Sequence, residues 1–547
     1  MTDRKLNRFL LLAVGGVLTG LTLVFPRLGF LEWLTLVPVG LFLLSEADEP
    51  HTRFRGTYGY GFFFFMCFYV VVFHWFVFLY PLDFIDGMTP LSAIVVVLAG
   101  CLGLSAVQAL FGGLFFMAVR LILRIRLMTA HKALRPFALA GMWAVYEWTQ
   151  TLGWWGVPWG RLPIGQSEYI VGLQTASLFG SYIITFALVT VNMCVAYVIA
   201  YRKGLKTMGI ATAAVLLFQY GVGTAVYLTP ADSEETVSIA AVQGNIDSKE
   251  KWSVGSITRT IDVYEKYTLE AAGKGADIVV WPESALPYTV TADDPLGEYC
   301  SDLARYAGVT LLIGAFTQSE TEGEYNSLIC ILPDGSFHET VYSKQRLVPF
   351  GEFVPMRGLV SVLIPPLTEL VMLEEDLAAG EDANVIGLPQ ANLGGLVCFD
   401  SIYETLTRNS VLGGAEVICL STNDSWFSDS AALYMHNAQA QLRAIESGRY
   451  VVRAANTGIS TVINSKGEIL TRLDPLVDGM IMSEVRVNTH LTLYARIGNF
   501  FIYALITAFV LLVVTDIHDG GAYKKALRKL KKFLNVFRQT IDKIEFL

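Results

Sequence analysis

Three side chains in the second half of the chain have the chemistry needed for acyl transfer. Glu283 lies in "WPES" directly after an apolar run, Lys344 lies in "YSKQRLVPFGEFVP", and Cys398 follows the apolar segment "LGGLV". A thiolate is a nucleophile, and a nearby ammonium lowers the pKa of a thiol from about 8.5. A carboxylate can accept the thiol proton, and the ammonium, with a backbone N–H, can bind the oxyanion of a tetrahedral intermediate. Together, the three residues predict a thiol acyl-transfer site.

Each of these residues also has a purely structural interpretation. Most glutamates and lysines are solvated surface charges, and a lone cysteine after an apolar run is usually part of a core. The seven cysteines are scattered without C-x-x-C spacing, and the seven histidines are equally dispersed. We therefore predict no metal, no disulfide framework and no cofactor.

Short strands alternating with helices must position the three residues. The segments "SDLARYAG" and "ALYMHNAQAQLRAIESGRY" are typical of helices, the second ending at Gly448, and "VINSKGEIL" is typical of a hairpin. Apolar and β-branched runs predict buried strands at 237–244, 276–283, 309–316, 393–399 and 415–424. This order predicts an α/β layered sheet domain, with Glu283 and Cys398 at strand ends.

The composition of the whole chain indicates a membrane protein. Of 547 residues, 53% are hydrophobic and 16% are charged, whereas soluble domains carry about 25% charged residues. An apolar run of roughly 20 residues can cross a bilayer. Such runs lie near 9–25, 28–45, 57–80, 91–119, 136–153, 177–201, 207–229 and 497–516. We therefore predict eight transmembrane helices, in a seven-helix region (1–229), a large α/β domain (235–490), an eighth helix (491–517) and a basic tail (518–547).

The charges in the loops predict the orientation of these helices, because Lys and Arg collect on the cytoplasmic side. Basic residues cluster at the N-terminus, after the fourth and sixth runs, and in the tail. The loop "PLDFIDGMTP" after the third run has two Asp and no Lys or Arg. With the N-terminus inside, seven crossings place the large domain outside the cytoplasm, and the eighth returns the chain.

The ordered set Glu283, Lys344 and Cys398 resembles the Glu-Lys-Cys triad of the nitrilase superfamily. Longer segments resemble its membrane-bound branch, the apolipoprotein N-acyltransferases. They are "GVPWGRLPIGQ" (156–166), "AVQGNI" (241–246), "LVPFGEFVP" (347–355), "STNDSWF" (421–427), "RAANTGIS" (453–460) and "LTLYARIGN" (491–499). This similarity covers nearly the whole chain.

The resemblance implies an αββα sandwich, so the expected fold is an α-helical membrane bundle plus an α/β nitrilase-like αββα domain. It also implies a two-step exchange in which an acyl chain passes from a phospholipid to the cysteine, and then to the α-amine of a diacylglyceryl-cysteine. The implied roles are general base for Glu283, oxyanion stabiliser for Lys344 and nucleophile for Cys398. A supporting carboxylate is implied at Glu352, and the substrate entrance at Trp252, Asn423 and Trp426, although both tryptophans also fit simple packing.

The same resemblance implies the partners and the location of the protein. The partners are a phospholipid donor, a diacylated lipoprotein acceptor and the bilayer, with no nucleic acid. The location is a bacterial cytoplasmic (inner) membrane, multi-pass, with the catalytic domain on the extracytoplasmic side. Where the family often reads Cys-Tyr-Glu, this chain has Cys398-Phe399-Asp400, so no role carries over to Phe399 and Asp400.

Two other functions compete with this interpretation. The triad also permits a membrane-tethered amidase that acts on small amides, although eight helices exceed what an anchor needs. A transporter would usually show internal repeats and ionisable residues inside the bundle. The chain shows no repeat, and within the spans only His74 and Glu147 stand out.

The segment "LVSVLIPPLTELVM" (359–372) is unusually apolar for a soluble domain. Its two prolines argue against a regular helix. A buried connection is one explanation. The hypothesis we prefer is a loop resting on the bilayer as a door for acyl chains, which Leu363→Asp with Leu370→Asp would impair without unfolding the protein.

Overall fold

The computed structural model describes residues 2–48, 53–82, 88–230, 232–247, 256–319, 321–363 and 375–518. Its N-terminal part is helical, as the long apolar runs require. Its α-helices are α1 (Thr2–Val24), α2 (Glu32–Thr35), α3 (Val37–Asp48), α4 (Phe54–Val72), α5 (Pro90–Ile122), α6 (Arg126–Ala130), α7 (Arg135–Thr149), α8 (Ile170–Leu173), α9 (Ala176–Phe179), α10 (Tyr182–Tyr201), α11 (Leu205–Leu216) and α12 (Gly223–Leu228).

Among the residues that the structure describes, six helical segments are long and apolar enough to cross a membrane. They are Leu6–Val24, Pro26–Asp48, Pro90–Ile122, Tyr182–Tyr201, Leu205–Leu228 and Phe500–His518. The runs predicted near 57–80 and 136–153 form α4 and α7, and α7 has only 15 residues, which is short for a span. The count of eight crossings therefore stays a prediction. The basic tail lies outside the described residues.

The second half of the chain contains two six-stranded sheets. Sheet 1 has the order β12-β1-β2-β3-β4-β5, and sheet 2 has the order β11-β10-β9-β8-β7-β6. The strands are β1 (Thr236–Gln243), β2 (Ile278–Val280), β3 (Thr310–Ser319), β4 (Gly323–Ile331), β5 (Tyr342–Ser343), β6 (Val385–Gly387), β7 (Asn392–Val397), β8 (Val417–Thr422), β9 (Tyr450–Ala455), β10 (Ser460–Ile463), β11 (Ile469–Leu473) and β12 (Gly479–Arg486).

Helices cover the outer faces of both sheets. They are α13 (Ser256–Gly273) and α14 (Pro295–Ala307) on sheet 1, and α16 (Glu404–Leu412) and α17 (Ala431–Ser447) on sheet 2. The other helices of this half are α15 (Arg357–Leu363), α18 (Leu493–Ile497) and α19 (Phe500–His518), and α19 packs against α7 and α10 of the helical half. One apolar core lies between the two sheets, and a second lies under α13 and α14. The layers are therefore helix, sheet, sheet, helix.

The strand arrangement follows from the apolar runs. β1, β2 and β3 are mutually parallel, as are β7, β8 and β9, and parallel strands covered on both faces need continuous apolar sequence. The five predicted strands and the hairpin are confirmed. The two predicted helices lie in α14 and α17, and Gly448 ends α17 at a φ of 67°, which favours glycine.

The helical half and the sheet domain meet through buried polar groups around Arg161. Its guanidinium donates to Glu404 Oε2 (3.2 Å) and Gln439 Oε1 (3.1 Å), and it contacts the carbonyl of Ile402 (3.4 Å). Tyr182 donates to the other oxygen of Glu404 at 2.6 Å. The motif "GVPWGRLPIGQ" therefore lies at the junction of the two halves.

The Arg161→Met substitution is expected to lower the free energy of unfolding by about 3 kcal/mol, because it leaves the buried Glu404 carboxylate with only the more distant Arg443, at 4.0 Å, as a cation. Arg161 and Glu404 are 0% and 1% exposed. The measurement is thermal unfolding in detergent. The control is Arg305→Met, because Arg305 pairs with Asp302 at the surface, where a pair contributes about 0–1 kcal/mol. Equal melting temperatures for the two variants would contradict the role of Arg161.

Candidate active site

A buried lysine between two carboxylates forms the centre of the candidate site. Lys344 Nζ lies 2.9 Å from Glu283 Oε1 and 2.8 Å from Glu352 Oε1. Burial opposes the charge on Lys344, but the two carboxylates hold its pKa well above the usual value. The lysine is therefore a fixed ammonium at neutral pH.

The elements that carry these groups explain why they meet. Glu283 follows β2, and Lys344 follows β5 at the edge of sheet 1. Asn326 on β4 donates to Glu283 Oε1 (2.9 Å) and to Glu352 Oε1 (3.0 Å), so one amide fixes both carboxylates. The backbone N–H of Asn423, after β8 of sheet 2, donates to Glu283 Oε2 at 2.7 Å. Glu283 is thus held from both sheets.

Cys398 lies at the end of β7 and begins a short 3₁₀ turn, Cys398–Ile402. Its φ of 48° is in the left-handed region, which a non-glycine residue adopts at a cost of order 1–3 kcal/mol. The side chain is only partly buried. A sharp, strained turn after a strand presents a side chain beyond the sheet edge, as nucleophile positions require.

The charge state of Cys398 differs from the expectation based on Lys344 alone. Burial raises the pKa of the thiol, the Glu283 carboxylate raises it further, and the Lys344 ammonium only partly opposes these effects. The prediction of a lowered pKa is therefore wrong, because it left out desolvation. The resting group is a neutral thiol, which needs a base to remove its proton.

Asp400 ties the turn of Cys398 to the segment of Lys344. Its Oδ1 accepts from the backbone N–H of Arg346 (2.8 Å) and of Gln345 (3.2 Å). Its Oδ2 accepts from Tyr342 Oη (2.9 Å) and from the Val397 N–H (3.1 Å). Burial raises the pKa of Asp400 to about 6, although the Lys344 charge and these donors lower it. At neutral pH the carboxylate is therefore ionised and saturated with donors.

The paired glycines of "LGGLV" belong to the same arrangement. A Cβ on Gly395 would lie 2.6 Å from the ring of Tyr342, so a larger residue would displace the tyrosine that donates to Asp400. The glycine is required by this close approach and not by an unusual backbone angle.

The Asp400→Asn substitution is expected to reduce turnover about 10²-fold, because an amide nitrogen would face backbone donors and shift Cys398 relative to Lys344. The measurement is kcat and KM for the acyl transfer that the sequence predicts, and the KM for the expected lipid substrate should change little. The matched control is Asp302→Asn, since Asp302 is 76% exposed. Full turnover by Asp400→Asn would show that the two segments keep their positions without the carboxylate.

The remaining predicted site residues are placed only in part. Asn423 and Trp426 lie together beyond β8, with Trp426 in the turn Ser425–Phe427. The Asn423 side chain accepts from Asn456 Nδ2 at 3.1 Å. Trp252 lies outside the described residues, as do residues 364–372 of the proposed door. The described start of that segment is α15, in which Leu359 and Val362 are exposed.

Several residues of the site escaped the sequence analysis. Asn326 gave no signal, because a single asparagine in an apolar strand matches no motif. Asp400 was named without a role, since its four donors are revealed only by the fold. Asn456 lies in "RAANTGIS" and links Ile246 of "AVQGNI" to Asn423 of "STNDSWF", so three motifs meet around one amide. Among the described residues, no three His, Cys, Asp or Glu side chains could hold a metal ion.

Comparison with known proteins places both halves of the chain. Residues 15–194 match the family model "Apolipoprotein N-acyltransferase N-terminal domain", and residues 238–490 match "Carbon-nitrogen hydrolase". The "Apolipoprotein N-acyltransferase" of Gloeobacter violaceus is 30% identical over 90% of this chain and 91% of its own. That of Geobacter metallireducens is 28% identical over 91% and 93%.

Among solved structures, the chain is similar to Saccharomyces cerevisiae Nit3, a member of branch 10 of the nitrilase superfamily. The identity is 16%, the match covers 47% of this chain and 92% of that one, and the TM-score is 0.37. The family assignment therefore rests on the sequence relatives.

Proposed function

Since the chain belongs to the apolipoprotein N-acyltransferase family, we propose that it moves an acyl chain from a phospholipid to the α-amine of a lipoprotein's N-terminal diacylglyceryl-cysteine. The carrier is a thioester on Cys398. The observation that best supports this proposal is the meeting of Glu283, Lys344 and the turn of Cys398 beside the helical half.

In the first step, Glu283 accepts the thiol proton as the sulfur attacks the ester carbonyl of the phospholipid. The raised pKa of the Cys398 thiol makes this proton transfer necessary. Lys344 Nζ donates to the oxyanion of the tetrahedral intermediate. The intermediate collapses to a thioester, and the leaving lysophospholipid oxygen takes the proton from Glu283.

In the second step, the acceptor amine attacks the thioester carbonyl. Glu283 accepts a proton from the amine, Lys344 again stabilises the oxyanion, and the C–S bond breaks. The thiol regains the proton, and the product is an amide. Glu352 supports both steps, because it holds Lys344 in place while accepting from the Val348 N–H at 2.8 Å.

The bilayer is part of the proposed mechanism. Each buried CH₂ of an acyl chain is worth about 0.8 kcal/mol, so drawing a whole chain into water would be prohibitive. The site therefore opens sideways to the outer leaflet of a bacterial cytoplasmic membrane, with the catalytic domain on the extracytoplasmic side. Asn423 and Trp426 line the substrate entrance in this proposal.

Intact-protein mass spectrometry tests the proposal. Incubation with phospholipid alone should add one acyl mass, located at Cys398 by peptide mapping, and a diacylglyceryl lipopeptide should then remove it. Two substrates that use one thiol in turn give ping-pong kinetics. Turnover of small amides without any acyl adduct from phospholipid would instead favour the amidase function.

A further inference from the structure

An arginine beside the candidate nucleophile has no carboxylate partner. Arg346 lies two residues after Lys344, and its backbone N–H donates to Asp400 Oδ1 at 2.8 Å. Its guanidinium carbon lies 5.1 Å from the centre of the Tyr403 ring, and the residue is partly exposed. In the described part of the chain, no carboxylate pairs with this guanidinium and no oxygen accepts from it. The cation is therefore held in place without being neutralised.

The contact with Tyr403 leaves the donors of Arg346 available for a ligand. A cation over an aromatic ring is attracted through its charge and uses no hydrogen bond. The guanidinium keeps five N–H donors in a planar fork, and such a fork matches two oxygens of a phosphate. The simpler explanation is that Arg346 only covers the ring of Tyr403, which is 3% exposed.

Tyr403 also relates Arg346 to the membrane surface. Its hydroxyl donates to the carbonyl of Gly156 in the helical half at 3.2 Å. The two residues before Gly156, Trp154 and Trp155, are 37% and 45% exposed. Exposed tryptophans beyond the end of an apolar helix collect at the level of the lipid head groups. The Arg346 guanidinium therefore lies near the depth of the lipid phosphates.

The spacing from the nucleophile fits the dimensions of a phospholipid. Asp400 is two residues from Cys398, so their Cα atoms are at most about 7.6 Å apart. Phe399, next to Cys398, packs on Tyr403 with ring centroids 5.6 Å apart. In a glycerophospholipid, about six bonds of roughly 1.5 Å join the ester carbonyl carbon of the first acyl chain to phosphorus. An ester placed at the sulfur therefore brings its phosphate within reach of Arg346.

We infer that Arg346 binds the phosphate of the donor phospholipid and so selects glycerophospholipids over uncharged acyl esters. This inference rests on the proposed acyl transfer through Cys398. The acceptor of the second step, a diacylglyceryl-cysteine, has no phosphate, so Arg346 acts only while the thioester forms. Phosphatidylethanolamine and phosphatidylglycerol share the phosphate, so Arg346 contributes equally to the binding of both.

The two half-reactions separate phosphate binding from support of the fold. In single turnovers in detergent micelles with a small fraction of phosphatidylethanolamine, Arg346→Gln should form the thioester about 10–100-fold more slowly, because it loses a charge-assisted hydrogen bond. Once the thioester has formed, transfer to a diacylglyceryl lipopeptide should keep the wild-type rate. An equal loss in both half-reactions would overturn the inference, since it would mean that Arg346 only supports the turn of Cys398.

The choice of donor gives a second readout. Wild-type protein should acylate Cys398 faster from phosphatidylethanolamine or phosphatidylglycerol than from diacylglycerol, which has the same ester but no phosphate. Arg346→Gln should reduce this preference at least about tenfold, with no change in the rate from diacylglycerol. Arg346→Lys should recover part of the preference, because an ammonium keeps the charge but not the fork. An equal loss with diacylglycerol would contradict phosphate binding.

The matched control for these assays is Arg305→Gln. Arg305 lies on α14, is 57% exposed and pairs with Asp302, so its loss should change neither half-reaction nor the preference among donors. The same loss of preference in this variant would show that the effect is not specific to Arg346.

Equilibrium binding tests the inference without acyl transfer. Cys398→Ala protein should bind a soluble short-chain phosphatidylethanolamine at least about tenfold more tightly than the double variant Cys398→Ala with Arg346→Gln. Equal affinities would overturn the inference. If wild-type protein forms no thioester but this difference in affinity is found, the proposed acyl transfer fails and the phosphate site stands.

Discussion

Replacing Cys398 with alanine is expected to abolish the acyl adduct and to reduce acyl transfer by at least about 10⁴-fold, the usual cost of removing a covalent nucleophile. The reason lies in the geometry, because the two described neighbours that carry an amine or a hydroxyl cannot replace the sulfur. Lys344 is held as an ammonium by its carboxylates, and Ser401 Oγ is engaged with the carbonyl of Cys398. Neither group is available as a substitute nucleophile.

The assay for this variant is the intact mass after incubation with phospholipid, together with the rate of transfer to a diacylglyceryl lipopeptide. Cys67→Ala is the matched control, since Cys67 is also free and partly exposed but lies in the helical half. It should keep both the adduct and the rate. An adduct on the Cys398→Ala protein would mean that the acyl chain is carried elsewhere.

Replacing Lys344 with methionine should have the second largest effect, about a 10²–10³-fold loss in kcat, as measured when one oxyanion donor is removed. Methionine keeps the apolar stem but not the ammonium, so Glu283 and Glu352 would face each other without a cation. Leaving buried charges unpaired destabilises a fold by about 3–5 kcal/mol. The loss of kcat and the loss of stability both follow from removing the Lys344 amine, which is only 1% exposed.

Melting temperature and single-turnover kinetics distinguish the two effects of this substitution. Measured below the variant's melting temperature, thioester formation should still be slow. The double variant Lys344→Met with Glu352→Gln should recover part of the stability but not the rate, because it removes one of the two unpaired charges without restoring the donor. The control is Lys274→Met, since Lys274 is 58% exposed in its pair with Glu270. Recovery of rate in the double variant would contradict the oxyanion role.

The strands and the strand-end residues were predictable from the sequence because the sheets are buried on both faces. Apolar, β-branched runs that stop at Glu283 and at Cys398 carry a strong local signal. Local signals do not reveal partners across sheets. The contact of the Asn423 N–H with Glu283 joins residues 140 positions apart, and only the packing of the two sheets creates it.

The electrostatics of the site were less predictable than its members. Pairing Cys398 with Lys344 predicts a reactive thiolate, but the effect of burial exceeds that of the ammonium. Likewise, Asp400 resembles a solvated loop carboxylate until its four donors are placed around it. Desolvation and hydrogen bonding depend on three-dimensional surroundings, so residue types alone leave the sign of a pKa shift open.

The contact between Arg161 and the carbonyl of Ile402 has a consequence for biogenesis. Ile402 closes the turn that begins at Cys398, so a residue from the first third of the polypeptide contacts the turn of the proposed nucleophile. During synthesis, Arg161 leaves the ribosome long before Cys398 does. The thiol thus acquires its proposed geometry only after the sheet domain has packed against the helical half. An isolated sheet domain would carry the three proposed site residues without the contact from Arg161.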